Sequence, residues 1–269
     1  MYTNFRSTYF CKMLLQPTDT LRYIPKKIVS LVPSQTALLH YLGLQEETIG
    51  ITKFCIHPKE WVKSKTKVGG TKTINIEAVK KLNPDLIIAN KEENVKEQIE
   101  ELANNFNMLV TDVNNVADAL QMIRKIGQLT GKEQIAKSLT AKIKSEFEKI
   151  SQPEYLIKTA YLIWNKPYMT IGGDTFISDI LTKCGLQNIF AHKKRYPQIT
   201  IADLAIAKCQ LILLSTEPYP FKQDHINELQ QQLPEAKIIL ADGEMFSWYG
   251  SRMLLMPDYL NALLKAINH

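Results

Sequence analysis

The chain has 269 residues, of which 45% are hydrophobic and 22% are charged. This composition is that of a folded protein with a sizeable core, not of a disordered or fibrous chain. No run of about 18 apolar residues is present, so we expect no membrane-spanning helix. The formal net charge is a mild +6 with lysines spread along the chain, so nucleic-acid binding is not favoured.

The first 25 residues are expected to be an N-terminal extension to the fold. An export signal needs an apolar stretch of roughly 7 to 15 residues. Lys12 and Gln16 interrupt the only candidate stretch in this region. The pattern therefore favours a cytoplasmic location, and the alternative is that the natural start lies elsewhere.

Short apolar runs alternate with helical patterns in the first half, as in parallel sheets covered on both faces. Strands are predicted at residues 28–32, 48–51, 85–89 and 108–113. Helices are predicted at residues 34–42, 76–82 and 95–104. Ser34 is the expected N-cap of the first helix, and Gly43 is its expected stop. Residues 26–131 are thus expected to form an N-terminal α/β lobe.

A helix of about five turns is predicted over residues 132–150. Its apolar residues recur every three or four positions, at Ile135, Leu139, Ile143, Phe147 and Ile150. Gly131 precedes this helix and Pro153 follows it. A single helix between two α/β halves is expected to hold them at a nearly fixed spacing, unlike a flexible linker.

The second half repeats the alternation of strands and helices. Strands are predicted at residues 159–164, 168–171, 211–214 and 237–240. Helices are predicted at residues 175–184, 201–207, 224–232 and 257–267. We expect residues 151–269 to form a C-terminal α/β lobe, with the ligand site in the cleft between the lobes.

The loop DGEMFSWYGSR, residues 242–252, follows a predicted buried strand. Ligands usually bind at the carboxyl ends of strands in open α/β sheets. Exposing this many aromatic side chains without a partner is unfavourable, so the loop is expected to form a wall against a ligand. The alternative is that Phe246 and Trp248 fill the core. Candidate ligand contacts in this loop are Asp242, Glu244, Met245, Phe246, Trp248, Tyr249 and Arg252.

Cys55 and His57 lie two residues apart, just after a predicted strand. In an extended segment such residues point the same way, and both types bind soft or borderline metals. They are therefore candidate metal ligands, and the alternative is a buried thiol beside a hydrogen-bonded histidine. A function of another class, a cytoplasmic enzyme or a metal or cofactor chaperone, would use Cys55 as nucleophile and His57 as its partner. The sequence has no phosphate loop, GxSxG or HExxH, so no catalytic residue is predicted.

Five segments, residues 27–44, 49–58, 74–89, 172–190 and 195–204, carry a family resemblance in their order and spacing. The chain resembles the cobalamin- and iron-siderophore-binding proteins of ABC importers. The resemblance implies two α/β lobes with mostly parallel sheets joined by one long backbone helix, the helical backbone metal receptor fold. It also implies non-enzymatic binding of a metal-containing macrocycle or chelate, with cobalamin or a related corrinoid favoured. A ferric siderophore or haem is the alternative, and no catalytic cofactor is expected.

The resemblance also implies ligand-binding positions, several of them aromatic. Aromatic rings cover flat apolar faces with little loss of rotamer freedom. The positions carried over are Phe54, Thr71, Trp164, Tyr168, Tyr196 and the segment 244–248. Thr71 and Asn90 stand where the cobalamin-binding branch often has tryptophans, which fits a smaller or differently shaped ligand. The run 193–195, Lys-Lys-Arg, is either a cationic wall for an anionic chelate or a solvated turn.

A further implication is docking to an ABC permease dimer, for which each lobe of the family presents an acidic residue. Glu77 matches this position in the first lobe. In the second lobe the matching residue is Ala202, followed by Asp203. A shift of one residue turns a helical side chain by about 100 degrees, so Asp203 is the weaker candidate. The resemblance implies a periplasmic or cell-surface location, in contrast to the unclear N-terminus.

Overall fold

A computed structural model describes residues 14–15 and 19–268, so most of the predicted N-terminal extension lies outside the described residues. The chain divides into two compact units. The first contains the residues up to Asp112 together with Lys125–Ile135, and the second contains Val113–Arg124 together with the residues from Ala136 onward. Within the described part of the chain, no helix is long and apolar enough to cross a membrane.

The first unit is built on a six-stranded sheet. Its strands are β1 (Leu14–Leu15), β2 (Ile28–Ser30), β3 (Thr48–Ile51), β4 (Thr66–Lys67), β5 (Leu86–Asn90) and β6 (Met108–Thr111). They are ordered β1-β6-β5-β2-β3-β4, and every pairing is parallel. All residues of the central strands β2 and β5 are buried, which explains their short, unbroken apolar runs.

Four helices follow strands of this sheet: α1 (Pro33–Tyr41), α2 (Lys59–Ser64), α3 (Ile76–Leu82) and α4 (Lys96–Ala103). Three were predicted to within one residue, and α2 was missed. The predicted N-cap Ser34 is wrong, because Val32 holds that position and Pro33 begins the helix, where a missing N–H is harmless. Gly43 is confirmed as the stop of α1: its φ is +73° and its N–H donates to the His40 carbonyl at 3.0 Å.

Two consecutive helices come after β6, namely α5 (Val116–Leu129) and α6 (Glu133–Phe147). The helix predicted over 132–150 corresponds to α6, which ends three residues earlier at Phe147, and its role as the connecting helix stays a prediction. The helix α5 was missed. Ile135 is 41% exposed, so Ala136 joins Leu139 and Ile143 in the buried face of α6. The buried hydrophobic residues of α5 recur every one to three positions, at Val116, Ala119, Leu120, Met122, Ile123, Ile126 and Leu129.

The second unit has a five-stranded sheet made of β7 (Ile157–Trp164), β8 (Met169–Thr170), β9 (Leu186–Asn188), β10 (Leu211–Ser215) and β11 (Lys237–Ala241). The order is β11-β10-β7-β8, and β9 also pairs with β7. Only β8 runs antiparallel, because a four-residue turn returns it along β7. The predicted α/β class with mostly parallel sheets is confirmed.

Besides most of α5 and α6, the second unit contains α7 (Phe176–Lys183), α8 (Ile201–Ile206), α9 (Gln223–Gln232), the short α10 (Glu244–Ser247) and α11 (Met256–Asn268). Thr175 caps α7 by accepting the Ser178 N–H at 3.3 Å. Apolar residues of β7, β10 and β11 form one core with residues of α8 and α9. The face of the sheet that packs against α8 and α9 is therefore buried, and loops follow the carboxyl ends of its strands.

Replacing Ile123 with alanine tests the buried face of α5. Ile123 has no exposed surface, whereas Ile206 at the end of α8 is 81% exposed. We expect Ile123→Ala to lower the free energy of unfolding by about 2–4 kcal/mol, because it leaves a cavity. The control Ile206→Ala should change it by less than about 0.5 kcal/mol. Urea denaturation followed by circular dichroism measures both, and equal effects would contradict the assigned packing of α5.

Candidate functional site

Three loops of the second unit begin at the same edge of its sheet. Since β7, β10 and β11 are parallel, their carboxyl ends lie side by side. The loops that follow them, residues 165–168, 216–222 and 242–252, are here called the carboxyl-edge loops. This edge of an α/β sheet is the usual place for a ligand.

Much of the aromatic loop 242–252 anchors in the core. Phe246 has no exposed surface, and its ring centroid lies 4.9 Å from that of Tyr161. Met245 and Tyr249 are each 7% exposed, and Tyr249 meets the ring of Phe176 edge-on at 5.6 Å. The expectation that Phe246 faces a ligand is therefore corrected: this ring fastens the loop to the second unit.

Glu217, which the sequence did not single out, connects two of the carboxyl-edge loops. The Trp248 indole N–H donates to Glu217 Oε1 at 2.9 Å, and the Ser247 hydroxyl donates to the same oxygen at 3.0 Å. Burial raises the pKa of the Glu217 carboxyl, these two hydrogen bonds oppose the rise, and the charges of Glu244 and Asp242 add to it. Trp248 is only 7% exposed, so its polar edge is committed to this contact.

Arg252 and Glu244 form a close ion pair in the same loop. Arg252 Nη2 lies 2.6 Å from Glu244 Oε2, and their side chains are 19% and 18% exposed. The guanidinium also lies 5.5 Å from the ring centroid of Trp248. The two charges therefore largely compensate each other, and ligand contact by Glu244 or Arg252 stays a prediction.

Three predicted aromatic residues keep accessible surface in the second unit. Trp164, at the end of β7, is 40% exposed and meets the ring of Tyr219 edge-on at 5.6 Å. Tyr168 is half-buried, and burial together with the charge of Glu228 raises the pKa of its phenol. Tyr196 is also half-buried, with the Arg195 guanidinium 5.9 Å from its ring centroid. These rings are the side chains that offer a surface for a flat ligand.

Hydrogen bonds of Arg195 attach the turn 193–195 to neighbouring residues of the second unit. The Arg195 N–H donates to Asp174 Oδ1 at 2.6 Å. Its guanidinium donates to Asn114 Oδ1 at 2.9 Å and to the Asp174 carbonyl at 3.0 Å. The carbonyl of Arg195 accepts the Gly172 N–H at 2.6 Å. Arg195 therefore has a structural role. If the turn provides a cationic surface for a ligand, that surface consists of Lys193 and Lys194.

A second polar group that the sequence missed surrounds Tyr219 in the loop after β10. The Lys222 N–H donates to His225 Nδ1 at 2.9 Å, and His225 Nε2 lies 3.1 Å from the Tyr219 hydroxyl. Asn165 Nδ2 lies 3.4 Å from the same hydroxyl oxygen. No spacing of histidines along the chain signals this group, because it depends on the fold of two different loops.

In the first unit, Phe54 and Thr71 occupy accessible loops. Phe54 is 51% exposed, and the Lys53 ammonium lies 5.2 Å from its ring centroid. Thr71 is half-buried, and its carbonyl accepts from Asn94 Nδ2 at 3.0 Å. Phe54 thus offers accessible apolar surface, and both residues stay predicted ligand contacts.

Cys55 lies deep in the first unit, unlike its neighbours. It has no exposed surface, and its sulfur lies 3.1 Å from Thr36 Oγ1 and 3.2 Å from Thr52 Oγ1. Burial raises the pKa of the Cys55 thiol, against the lowering effect of these bonds. A protonated, buried thiol is a poor nucleophile and a poor metal ligand. The metal hypothesis for Cys55 and half-buried His57 stays a prediction that this environment disfavours.

The two predicted docking carboxylates differ in their surroundings. Glu77, in the first turn of α3, has a side chain 82% exposed and an ion pair with Lys80 at 3.0 Å. Asp203 accepts the N–H and the hydroxyl of Thr200 at 2.7 and 2.8 Å, which forms the capping box of α8. These hydrogen bonds lower the pKa of Asp203. The Asp203 carboxylate is therefore engaged in capping α8, whereas the Glu77 side chain is largely exposed to solvent.

Two α/β units with mostly parallel sheets and accessible rings near strand ends fit the class of solute-binding proteins. The chain belongs to the periplasmic binding protein family, whose profile, described as "Periplasmic binding protein", matches residues 28–239. Members of this family are periplasmic or surface-lipoprotein binding proteins, and the family is not one of enzymes. The predicted family is confirmed.

Named relatives place the chain within this family. It is 31% identical over 201 residues to the uncharacterized ABC transporter substrate-binding lipoprotein YvrC of Bacillus subtilis, covering 70% of this chain and 62% of that protein. It is 26% identical over 249 residues to the vitamin B12-binding protein of Photorhabdus laumondii, covering 90% and 89%.

A solved structure agrees on the fold. The periplasmic vitamin B12 binding protein BtuF of Vibrio cholerae superposes with a TM-score of 0.75 at 20% identity, covering 91% of this chain and 98% of that one. This likeness confirms the predicted helical backbone metal receptor fold.

Glu217 makes the stability of the protein depend on pH. Because its folded pKa is raised above 4.5, the folded protein keeps this proton to a higher pH than the unfolded chain does. Its stabilising contribution is present below that ordinary value and is lost as the pH rises through the raised pKa. We expect Glu217→Gln to flatten the fall in unfolding free energy as the pH rises above 4.5.

Urea denaturation at stepped pH measures this dependence. Glu235→Gln, at an exposed position of the same unit, is the control and should keep the wild-type slope. A Glu217→Gln variant with the wild-type slope would contradict the link between burial of this carboxyl and stability.

Proposed function

We propose that the protein is a non-enzymatic receptor that binds a corrinoid, cobalamin or a close relative, for ABC-type import. The observation that carries this proposal is the set of accessible rings, Trp164, Tyr168 and Tyr196, at or near the strand ends of a family member whose relatives include vitamin B12-binding proteins. A corrin has wide apolar faces, and rings cover such faces at low conformational cost.

The charge arrangement supports a ligand with little net charge. Arg252 is paired with Glu244, and Arg195 lies beside Asp174 at 3.8 Å. Arg252 and Arg195 therefore each have a carboxylate partner. An anionic ferric siderophore or haem would have to compete with those carboxylates for its cations. Lys194 is the exposed cation of that turn that such a ligand would use, so an anionic chelate is the alternative outcome.

An enzymatic role has less support. The family is one of solute-binding proteins, and the thiol proposed as a nucleophile is buried with a raised pKa. No group of three His, Cys, Asp or Glu side chains suited to a metal ion occurs within residues 14–15 and 19–268. The metal of the proposed ligand therefore belongs to the cargo.

Calorimetric titration with cyanocobalamin, dicyanocobinamide, haemin and a ferric hydroxamate tests this proposal. We expect a corrinoid to bind most tightly and Trp164→Ala to weaken that binding about tenfold, because a stacked ring is lost. Tyr155→Ala is the matched control, since Tyr155 is 76% exposed in the same unit but lies outside the carboxyl-edge loops. Absence of binding by both corrinoids would refute the proposal.

We further propose that Glu77 docks the protein on an ABC permease. Glu77→Arg should leave the unfolding temperature unchanged, because the side chain is 82% exposed. It should reduce stimulation of the ATPase of the cognate permease in proteoliposomes at least fivefold, because a rim charge is reversed. Glu46→Arg, also exposed in the first unit, is the control. Equal stimulation by wild type and Glu77→Arg would remove Glu77 from the docking surface.

A further inference from the structure

We infer that Asn165 and Tyr219, beside Trp164, form a site for a primary carboxamide. The ligand would then be a flat macrocycle edged with neutral amides rather than with carboxylates. This inference rests on the proposed function and specifies the chemical class of its ligand. It concerns side chains of the second unit alone.

The orientation of His225 sets the hydrogen bonds of Tyr219. His225 Nδ1 accepts the backbone N–H of Lys222 at 2.9 Å, so it carries no proton. In the neutral ring the proton is then on Nε2, which lies 3.1 Å from the Tyr219 oxygen and donates to it. The Tyr219 hydroxyl must therefore direct its own proton elsewhere.

Asn165 supplies an unsatisfied polar group next to this hydroxyl. The residue is only 6% exposed, and its Oδ1 has no hydrogen-bond partner among the residues that the structure describes. Its Nδ2 lies 3.4 Å from the Tyr219 oxygen, which is a long contact. Buried amide groups are normally paired, so this side chain points to a partner from outside the chain.

The two possible orientations of the Asn165 amide lead to the same ligand group. As placed, the site presents one acceptor, Asn165 Oδ1, and one donor, the Tyr219 O–H. With the amide turned over, Tyr219 donates to Oδ1 and the Asn165 N–H groups are left to donate. A primary carboxamide has both a carbonyl and N–H groups, so it satisfies either orientation. A carboxylate only accepts, so it satisfies one orientation and meets an unpaired oxygen in the other.

The neighbouring side chains fit an amide at the edge of a flat ligand. Trp164 is 40% exposed and touches the ring of Tyr219 edge-on, so a macrocycle stacked on Trp164 brings its rim to Tyr219. The charge of Glu228 reaches Tyr168, whose phenol pKa it helps to raise. A second negative charge from a ligand carboxylate is disfavoured there, whereas a neutral amide is not.

The test compares three corrinoids that differ only in their edge groups. The probes are dicyanocobinamide, with amides, dicyanocobyrinic acid, with carboxylates, and the methyl ester of that acid, which has no N–H. We expect wild type to bind the amide form at least tenfold more tightly than either other form. Tyr219→Phe should weaken binding of the amide form by about tenfold, because its ring contacts are kept and its hydroxyl, a donor to the ligand carbonyl, is lost.

Matched variants separate this site from general damage to the fold. Tyr155→Phe removes a phenol hydroxyl from a residue that is 76% exposed in the same unit, and it should leave all three affinities unchanged. Asn165→Asp keeps the shape of the side chain and should weaken cobyrinic acid at least a further tenfold, with dicyanocobinamide changed less than about threefold. Thermal unfolding checks that each variant is folded.

The outcomes distinguish this inference from the proposed function. If none of the three corrinoids binds wild type, the proposed function fails. If all three bind equally and Tyr219→Phe has no effect, corrinoid binding stands and the carboxamide site is refuted, with Asn165 Oδ1 then occupied by a structural water only. An Asn165→Asp variant that binds cobyrinic acid as wild type does would also refute the site.

Discussion

The hydrogen bond from Trp248 to Glu217 is the contact on which the arrangement of the second unit's loops depends. Parallel pairing of β7, β10 and β11 brings three loops to one edge, but it does not fix their conformations. Glu217 leaves the end of β10 and accepts from both Ser247 and Trp248, which follow β11. A buried acceptor with two donors holds the two loops in one geometry, because losing either donor would leave a polar group unpaired. The accessible ring of Trp164 lies at the same edge of the sheet as these two fixed loops.

The aromatic residues at this edge of the sheet fall into a buried set and an exposed set. Phe246 and Tyr249 face inward and contact Tyr161 and Phe176, so they fix the loop to the sheet and to α7. Trp164 keeps 40% of its surface exposed and is supported from one side by Tyr219. A ring near a strand end thus stabilises the loop in one place and stays accessible to the proposed ligand in the other. Only the packing of neighbouring elements decides which.

Most of the fold could be predicted from the sequence, whereas the predicted site residues stay predictions. Strands such as β3 and helices such as α3 were predicted to the residue, because apolar periodicity and burial coincide there. The family resemblance predicted Tyr168 and Tyr196 as ligand contacts, and both stay predictions. The sequence left open whether Phe246 fills the core or faces a ligand, since a ring in a loop has no periodicity to orient it. The group of Tyr219, His225 and Asn165 was also not predicted, because Asn165 lies 54 residues from Tyr219 in the chain and meets it only in the folded protein.

The uneven exposure of the three tryptophans gives the protein a built-in optical reporter. Trp61 is 2% exposed and Trp248 is 7% exposed, whereas Trp164 is 40% exposed. The red edge of the emission spectrum therefore arises mainly from Trp164, and aqueous iodide should quench that component selectively. A ligand that absorbs visible light and lies on this indole would quench the red edge of the emission first. It would also shield any residual Trp164 emission from iodide, so ligand binding can be followed without a label.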